Sequence, residues 1–492
     1  MKYTSMITAL LLFWSSANAQ RSPNIIYIYA DDLGYGELGC YGQELIETPH
    51  LDRMAKEGIR FTQHYTSTPV CAPARAMLLT GKHGGHSYIR GNYEMGGFED
   101  NTEGGQMPLP EGTYTLAHML KAQGYQTGIV GKWGLGMHFT TGSPNKQGFD
   151  YAYGYLDQKQ AHNYYPTHLW ENGRWDTLRN PSVVLHQNIT AKDNRDELFS
   201  QFEGAEYAPE KMTDKAMQFI QTNKGRPFFL YLPYTIPHVG LQAPQKWIAK
   251  YKGKFANEKP YYGEQGYNPS EYPLATYAAM ISYLDEQVGL IMQQLKDLGI
   301  DDNTIVMFSS DNGPTFNGGV DAKLFNSTGG LKGMKMDVFE GGIRVPFIVR
   351  WPKIISAGKV SDLPSVQYDM MATLGELTGG KVGQTDGISF LPTLLGKSNA
   401  QKEREFIYFE YPEKGGQIAV RHKNWKGIRV NVSQNGNAPW MLYDLEKDPK
   451  EQVNVASRYP AVLQVLDDIV KREHQNAHIR EWEFINSKMP EK

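Results

Sequence analysis

The chain has 492 residues and a net charge of −3 at neutral pH, with 53 acidic and 50 basic side chains mixed along its length. No basic stripe stands out, which excludes nucleic acid as a partner, and the length leaves room for two domains with large cores. Only two cysteines occur, Cys40 and Cys71, so one disulfide is the most the chain can form.

The first residues read as an export signal. Lys2 supplies a positive start, Ile7 to Trp14 a short apolar run, and Ala17-Asn18-Ala19 a small-x-small cleavage site. This predicts a leader over 1–19, a mature chain from Gln20, and a periplasmic or secreted protein. The apolar run is too short to span a bilayer, and no later stretch is long enough either, so the protein is expected not to be integral to a membrane.

Several apolar runs then read as buried strands, each followed at once by polar residues. Ile25 to Tyr29 leads into Asp31-Asp32, Thr127 to Val130 into Gly131-Lys132, Phe228 to Leu232 toward Pro237-His238, and Thr304 to Phe308 into Asp311-Asn312-Gly313. Helical patterns intervene. Thr48 and Pro49 form a start signal, and apolar residues recur at helical spacing over Tyr114–Gln123 and Tyr277–Leu298. Apolar strands alternating with helices predict a large mixed, mostly parallel sheet sandwiched by helices. Ligands in such sheets bind beyond the carboxyl ends of the strands, where four endings place Asp, Lys, His and Asp-Asn. The stretch from Tyr153 to Asn188 reads as one long irregular binding loop. Beyond about residue 375 the texture changes. Short alternating strands near 406–410, 417–420, 425–430 and 440–444 predict a small antiparallel sheet, with a helix from Ala461 to Glu473 packed on it. The expected division is a catalytic unit over 20–400 and a C-terminal subdomain over 401–492.

The candidate site offers three kinds of chemistry. Asp31, Asp32, Asp311 and Asn312 provide only hard oxygen ligands, which suit Ca²⁺, or Mg²⁺, better than zinc or copper. Cys71 in Cys71-Ala72-Pro73-Ala74-Arg75 falls near the N-terminus of a predicted helix, where free N–H groups favour negative charge. Arg75, Lys132 and Lys332 are expected to surround a tetrahedral anion, the two lysines in glycine-rich settings. His238 is placed to donate a proton to a leaving oxygen.

Together these segments resemble the type I, formylglycine-dependent sulfatases of the alkaline phosphatase superfamily, from about Pro23 to the C-terminus. The matching motifs include Asp31-Asp32, Thr48-Pro49-His50-Leu51, Cys71-Ala72-Pro73-Ala74-Arg75, Gly131-Lys132-Trp133, Ile236-Pro237-His238, Asp311-Asn312-Gly313, Lys332-Gly333, Glu340-Gly341-Gly342, and a tail around Leu442 to Pro449. The resemblance implies that Asp31, Asp32, Asp311 and Asn312 hold calcium, and that Cys71 is converted to formylglycine (3-oxoalanine) and adds a ligand. It further implies that Arg75 steadies the hydrate while Lys132, His238 and Lys332 hold the sulfate. A formylglycine-generating or anaerobic sulfatase-maturing enzyme is then an expected partner. Consumption of Cys71 would leave Cys40 alone and no disulfide. The expected reaction is hydrolysis of sulfate esters, on a sulfated saccharide by exo action, with aryl sulfates as surrogates.

One position departs from the family. Two residues after the motif lysine, where a histidine is usual, stands Gly134. His138 and His162 are the candidates to replace it, and His162 and Gln158, from one segment, are both expected to bind substrate. Two other readings remain: a phosphodiesterase or phosphonate monoester hydrolase, since tetrahedral phosphorus fits the same clamp, and a non-catalytic glycan-binding module, if Cys71 stays unmodified. Subsite contacts are expected from the loops around 86–106, 153–190 and 315–326.

Overall fold

A computed structural model describes residues 22–186, 189 and 195–485; the predicted leader lies outside them. Ten strands form one sheet. Across it run Lys359–Ser361, Ile59–Phe61, Phe347–Arg350, Thr304–Ser310, Asn24–Ala30, Phe228–Pro233, Gln126–Lys132, Tyr151–Tyr155, His168–Glu171 and Arg174–Thr177. The five strands from Thr304–Ser310 to Tyr151–Tyr155 are mutually parallel, and antiparallel strands flank them. Every residue of Asn24–Ala30 and Thr304–Ser310 is buried, the burial expected of strands covered on both faces.

Side-chain alternation splits the core between the two faces. Ile26, Ile28, Leu230 and Leu232 pack on the side of the long helix Pro273–Asp297. Ile25, Tyr27, Tyr29 and Tyr231 lie on the other face with the helices Cys71–Thr80 and Leu116–Ala122. The predicted helices over Tyr114–Gln123 and Tyr277–Leu298 thus exist with shifted ends. The second starts four residues early, at Pro273, because proline fits a first helical turn.

The stretch expected to be one irregular loop is not. His168–Glu171 and Arg174–Thr177 form a hairpin that extends the sheet. Its turn is Asn172-Gly173, both with positive φ (49° and 80°), the geometry that favours Asn-Gly between two strands. The C-terminal antiparallel sheet comprises Ile407–Tyr411, Gln417–His422, Trp425–Arg429 and Met441–Asp444. The helix Pro460–Glu473 covers one face of it through Leu466, Ile469 and Val470. A buried charge network joins this sheet to the remainder of the molecule. Lys426 lies 2.9 Å from both Glu340 and Glu451, and Arg344 pairs with Glu340. Cys40 and Cys71 are both free. Among the described residues, no helix is long and apolar enough to cross a membrane.

Candidate active site

Four neighbouring parallel strands deliver the site. Asp31 and Asp32 follow Asn24–Ala30, Asp311 and Asn312 follow Thr304–Ser310, Lys132 ends Gln126–Lys132, and His238 follows Phe228–Pro233. Cys71 opens the helix Cys71–Thr80, so Arg75 falls one turn on, on the same side. Arg75 is buried and directed inward. Its Nη2 lies 2.8 Å from Asp311 Oδ2 and 3.5 Å from Asp31 Oδ2, its Nη1 donates to the Lys132 carbonyl at 2.7 Å, and its guanidinium sits over the Tyr29 ring. Lys132 Nζ reaches Asp31 Oδ2 at 2.6 Å.

The expected clamp residue Lys332 is not in this constellation. Its ammonium lies over the Phe339 ring and 3.3 Å from both the Tyr443 hydroxyl and the Glu451 carbonyl, facing the C-terminal sheet. Lys335 takes the place instead, 2.9 Å from Asp32 Oδ2 and 3.1 Å from His238 Nε2. The cause is local. The Lys332 carbonyl accepts from Gly341 N–H, and the backbone turns at Gly333 (φ 83°), between the two lysines, so they leave on different sides. In sequence, two lysines three apart in a glycine-rich stretch carry no mark that separates them.

His238 Nδ1 faces the Val239 carbonyl. A carbonyl only accepts, so Nδ1 carries the proton and the Nε2 lone pair accepts from Lys335. Burial, and then Lys335, pull the imidazole down to about 4, which leaves His238 neutral at rest. Of the two candidates for the role vacant at Gly134, His162 stacks on His238 (centroids 4.8 Å, 8° between planes). His138 stacks instead on Trp170 at 4.4 Å, beside the added hairpin. Gln158 occupies the space beside Gly134: a Cβ there would lie 2.7 Å from Gln158 Cγ. Gln158 Nε2 lies 3.4 Å from Asn92 Oδ1, which also accepts from Ala72 N–H at the start of the Cys71 helix.

The oxygen donors Asp31, Asp32 and Asn312 suit a hard divalent cation. One ligand atom each from Asp31, Asp32, Cys71 and His238 lies within 4.8 Å of the others. Asp31 Oδ1 and Asn312 Oδ1 are buried without any hydrogen-bond partner, a costly state unless an ion takes up those lone pairs. Asn312 Nδ2 donates to Asp32 Oδ1 at 2.7 Å, which turns the amide oxygen to the free side. Burial, and then Asp31, push the Asp311 carboxyl up to about 7. Asp31 is held well below the usual carboxylate range: burial alone would raise it, but Lys132, His238 and Arg75 outweigh burial. Burial pushes the Cys71 thiol up to about 11, so an unmodified thiolate is scarce at neutral pH and is a poor candidate nucleophile.

Buried carboxylates, orphaned oxygens and three cationic side chains at the carboxyl ends of a parallel sheet define a hydrolase for tetrahedral anionic esters, on an alkaline-phosphatase-like fold. Comparison narrows the class. Residues 23–380 match the Sulfatase family model, and residues 334–477 match that of the N-sulphoglucosamine sulphohydrolase C-terminal region. Human arylsulfatase A is 33% identical, over 94% of this chain and 89% of its own length. The N-acetylgalactosamine-6-O-sulfatase of Bacteroides thetaiotaomicron is 32% identical, over 92% and 93%. A crystal structure of Ps i-CgsB in complex with k-i-k-neocarrahexaose is 29% identical, covers 92% of this chain and 93% of its own, and has a TM-score of 0.74. The chain belongs to the sulfatase family and is a sulfuric ester hydrolase.

Proposed function

We propose that this sulfatase removes sulfate from sulfated glycans by exo action, with Cys71 matured to formylglycine and calcium held by Asp31, Asp32, Asp311, Asn312 and residue 71. The observation that carries this reading is Cys71 at a helix start within 4.8 Å of the carboxylate and imidazole ligand atoms. Two relatives named for saccharide chemistry support the glycan side. The net reaction is sulfate ester plus water to alcohol plus sulfate. The matured residue 71 supplies an oxygen nucleophile toward sulfur, and the cation supplies Lewis-acid stabilisation of the sulfuryl oxygens.

The chain's own residues do the positioning. Arg75 fixes Asp311 and Asp31 and keeps the nucleophile-bearing helix in register with them. Lys132 and Lys335 meet the anionic oxygens, and their charge is worth most in this buried pocket. The proton for the leaving oxygen is held on the Lys335–His238 pair, since His238 presents a lone pair and Lys335 the ammonium. Export to the periplasm or medium, and a division near residue 400 into a catalytic unit and a C-terminal subdomain, complete the proposal.

The test is peptide mass spectrometry of the Cys71 peptide after coexpression with a formylglycine-generating enzyme, followed by hydrolysis assays on sulfated saccharides. A loss of ~18 Da at residue 71, with turnover that Cys71→Ala abolishes, supports the reading. Faster turnover of a phosphonate monoester or phosphodiester would move the protein to the alternative phosphorus chemistry. An unmodified, inactive protein that still binds glycans would make it a binding module.

A further inference from the structure

A row of aromatic rings leads from the reacting centre to the surface, and no mechanistic step uses most of it. His238 stacks on His162. His162 Nδ1 and His186 Nε2 are 2.9 Å apart. The Tyr267 ring lies 5.4 Å from His162, 5.2 Å from His186 and 6.1 Å from His238. Phe98 stands 4.2 Å from His186, at the outer end, 39% exposed. We propose that this wall of Phe98, His162, His186 and Tyr267 seats the sugar ring that carries the sulfate, and that the His162–His186 pair reads one of its hydroxyls. This rests on the sulfated-glycan function proposed above and adds to it the residues that select the ring.

Three features point to a neutral, hydroxyl-bearing ring as the occupant. First, the wall continues outward from His238, the side on which the alcohol half of the ester must lie, because Arg75 and Lys132 are fully buried at the inner side. Secondly, the wall's own side chains are ring faces with imidazole and phenol edges, unlike the ammonium and guanidinium groups of the sulfate clamp, and aromatic faces with polar edges suit pyranose rings. Thirdly, the imidazole pair is adaptable. A single proton sits between His162 Nδ1 and His186 Nε2. If His162 donates it, His162 Nε2 is an acceptor; if His186 donates it, His162 Nε2–H is a donor. Either partner that a hydroxyl needs is available by a tautomer change alone. Asn268 adds a polar group: its Oδ1 accepts from the His186 backbone N–H at 3.3 Å, while its Nδ2 is buried, with the residue 3% exposed, and without a partner.

The experiment compares matured wild type with His186→Ala, His186→Gln and Tyr267→Ala on two kinds of substrate. One is a panel of monosulfated monosaccharides (galactose 6-sulfate, N-acetylgalactosamine 6-sulfate, N-acetylglucosamine 6-sulfate); the other is 4-nitrophenyl sulfate, which has no sugar hydroxyl. A site built to bond a hydroxyl loses most on the substrate that carries one. The expected result is a fall of about tenfold or more in the ratio of saccharide to aryl kcat/KM in His186→Ala, mostly through KM, with partial recovery in His186→Gln. Melting curves and Cys71 conversion are read alongside. A parallel loss on both substrates, or an unchanged ratio in a folded, matured variant, overturns the proposal. A wild type that hydrolyses the aryl sulfate but no sulfated saccharide overturns the glycan reading itself, and the wall with it.

Discussion

The lysine exchange in the clamp gives a decisive perturbation. Lys335 Nζ lies 2.9 Å from Asp32 Oδ2, where an ion-pair attraction at an effective dielectric near 20 is about 6 kcal/mol. Desolvation of the two groups offsets much of that, so its contribution to folding is far smaller. In the reaction the balance differs, because the same ammonium faces charge that develops on the sulfuryl and leaving oxygens. Loss of one such preorganised group costs about 10²–10³-fold in kcat, or about 3–4 kcal/mol. Lys335→Ala is therefore expected to fall by that factor with 4-nitrophenyl sulfate while it remains folded. Lys332→Ala loses the 3.3 Å contacts to Tyr443 and Glu451 and the ammonium over the Phe339 ring, all outside the clamp and at an exposed position, and is expected to stay within about a factor of two in turnover. The assay is kcat and KM for both variants, with calcium content and Cys71 conversion measured on the same samples. If Lys332→Ala loses activity a hundredfold and Lys335→Ala keeps it, the placement of the two side chains is wrong and the assignment returns to Lys332.

Three further outcomes follow from the geometry. Lys426→Met strands the buried carboxylates of Glu340 and Glu451 and is expected to cost about 3–5 kcal/mol, read as a lower denaturation midpoint; an unchanged midpoint would show that the network is not needed to join the C-terminal sheet. His474 bonds Glu410 at 2.8 Å, and although burial opposes its charge, Glu410 and Glu483 raise it to about 9. A raised histidine stabilises fully below its unfolded value near 6.5 and loses that contribution as pH rises through about 9. Wild type should therefore lose stability between pH 6.5 and 9 on this account, and His474→Gln should lack that part of the slope. Calcium at about 100 times its dissociation constant is expected to add about 2.7 kcal/mol of stability; a melting midpoint indifferent to chelation would refute the metal site whatever the activity does.

The sheet was legible because its strands are buried on both faces. Runs such as Ile25 to Tyr29 and Thr304 to Phe308 must then be apolar throughout, and the polar residues that follow them mark the strand ends. The candidate site was legible for the same reason, since Asp31, Lys132, His238 and Asp311 each follow such a run and are brought together by strand order alone. The Asn172-Gly173 hairpin carried a local signal too, but the surrounding Tyr, His and Trp residues masked the strand alternation. What sequence could not show is which way a side chain leaves an irregular segment, and Lys332 and Lys335 differ only in the turn between them. The same holds for the aromatic wall. Tyr267 and His186 come from separate segments of the chain, and neither is flanked by a strand ending or a motif. Only the folded chain shows that both rings pack against His162, and that His162 in turn stacks on His238. Residues held by strand ends could be placed from sequence, whereas His186 and Tyr267, held by ring packing between loops, could not, because that packing has no periodicity to read.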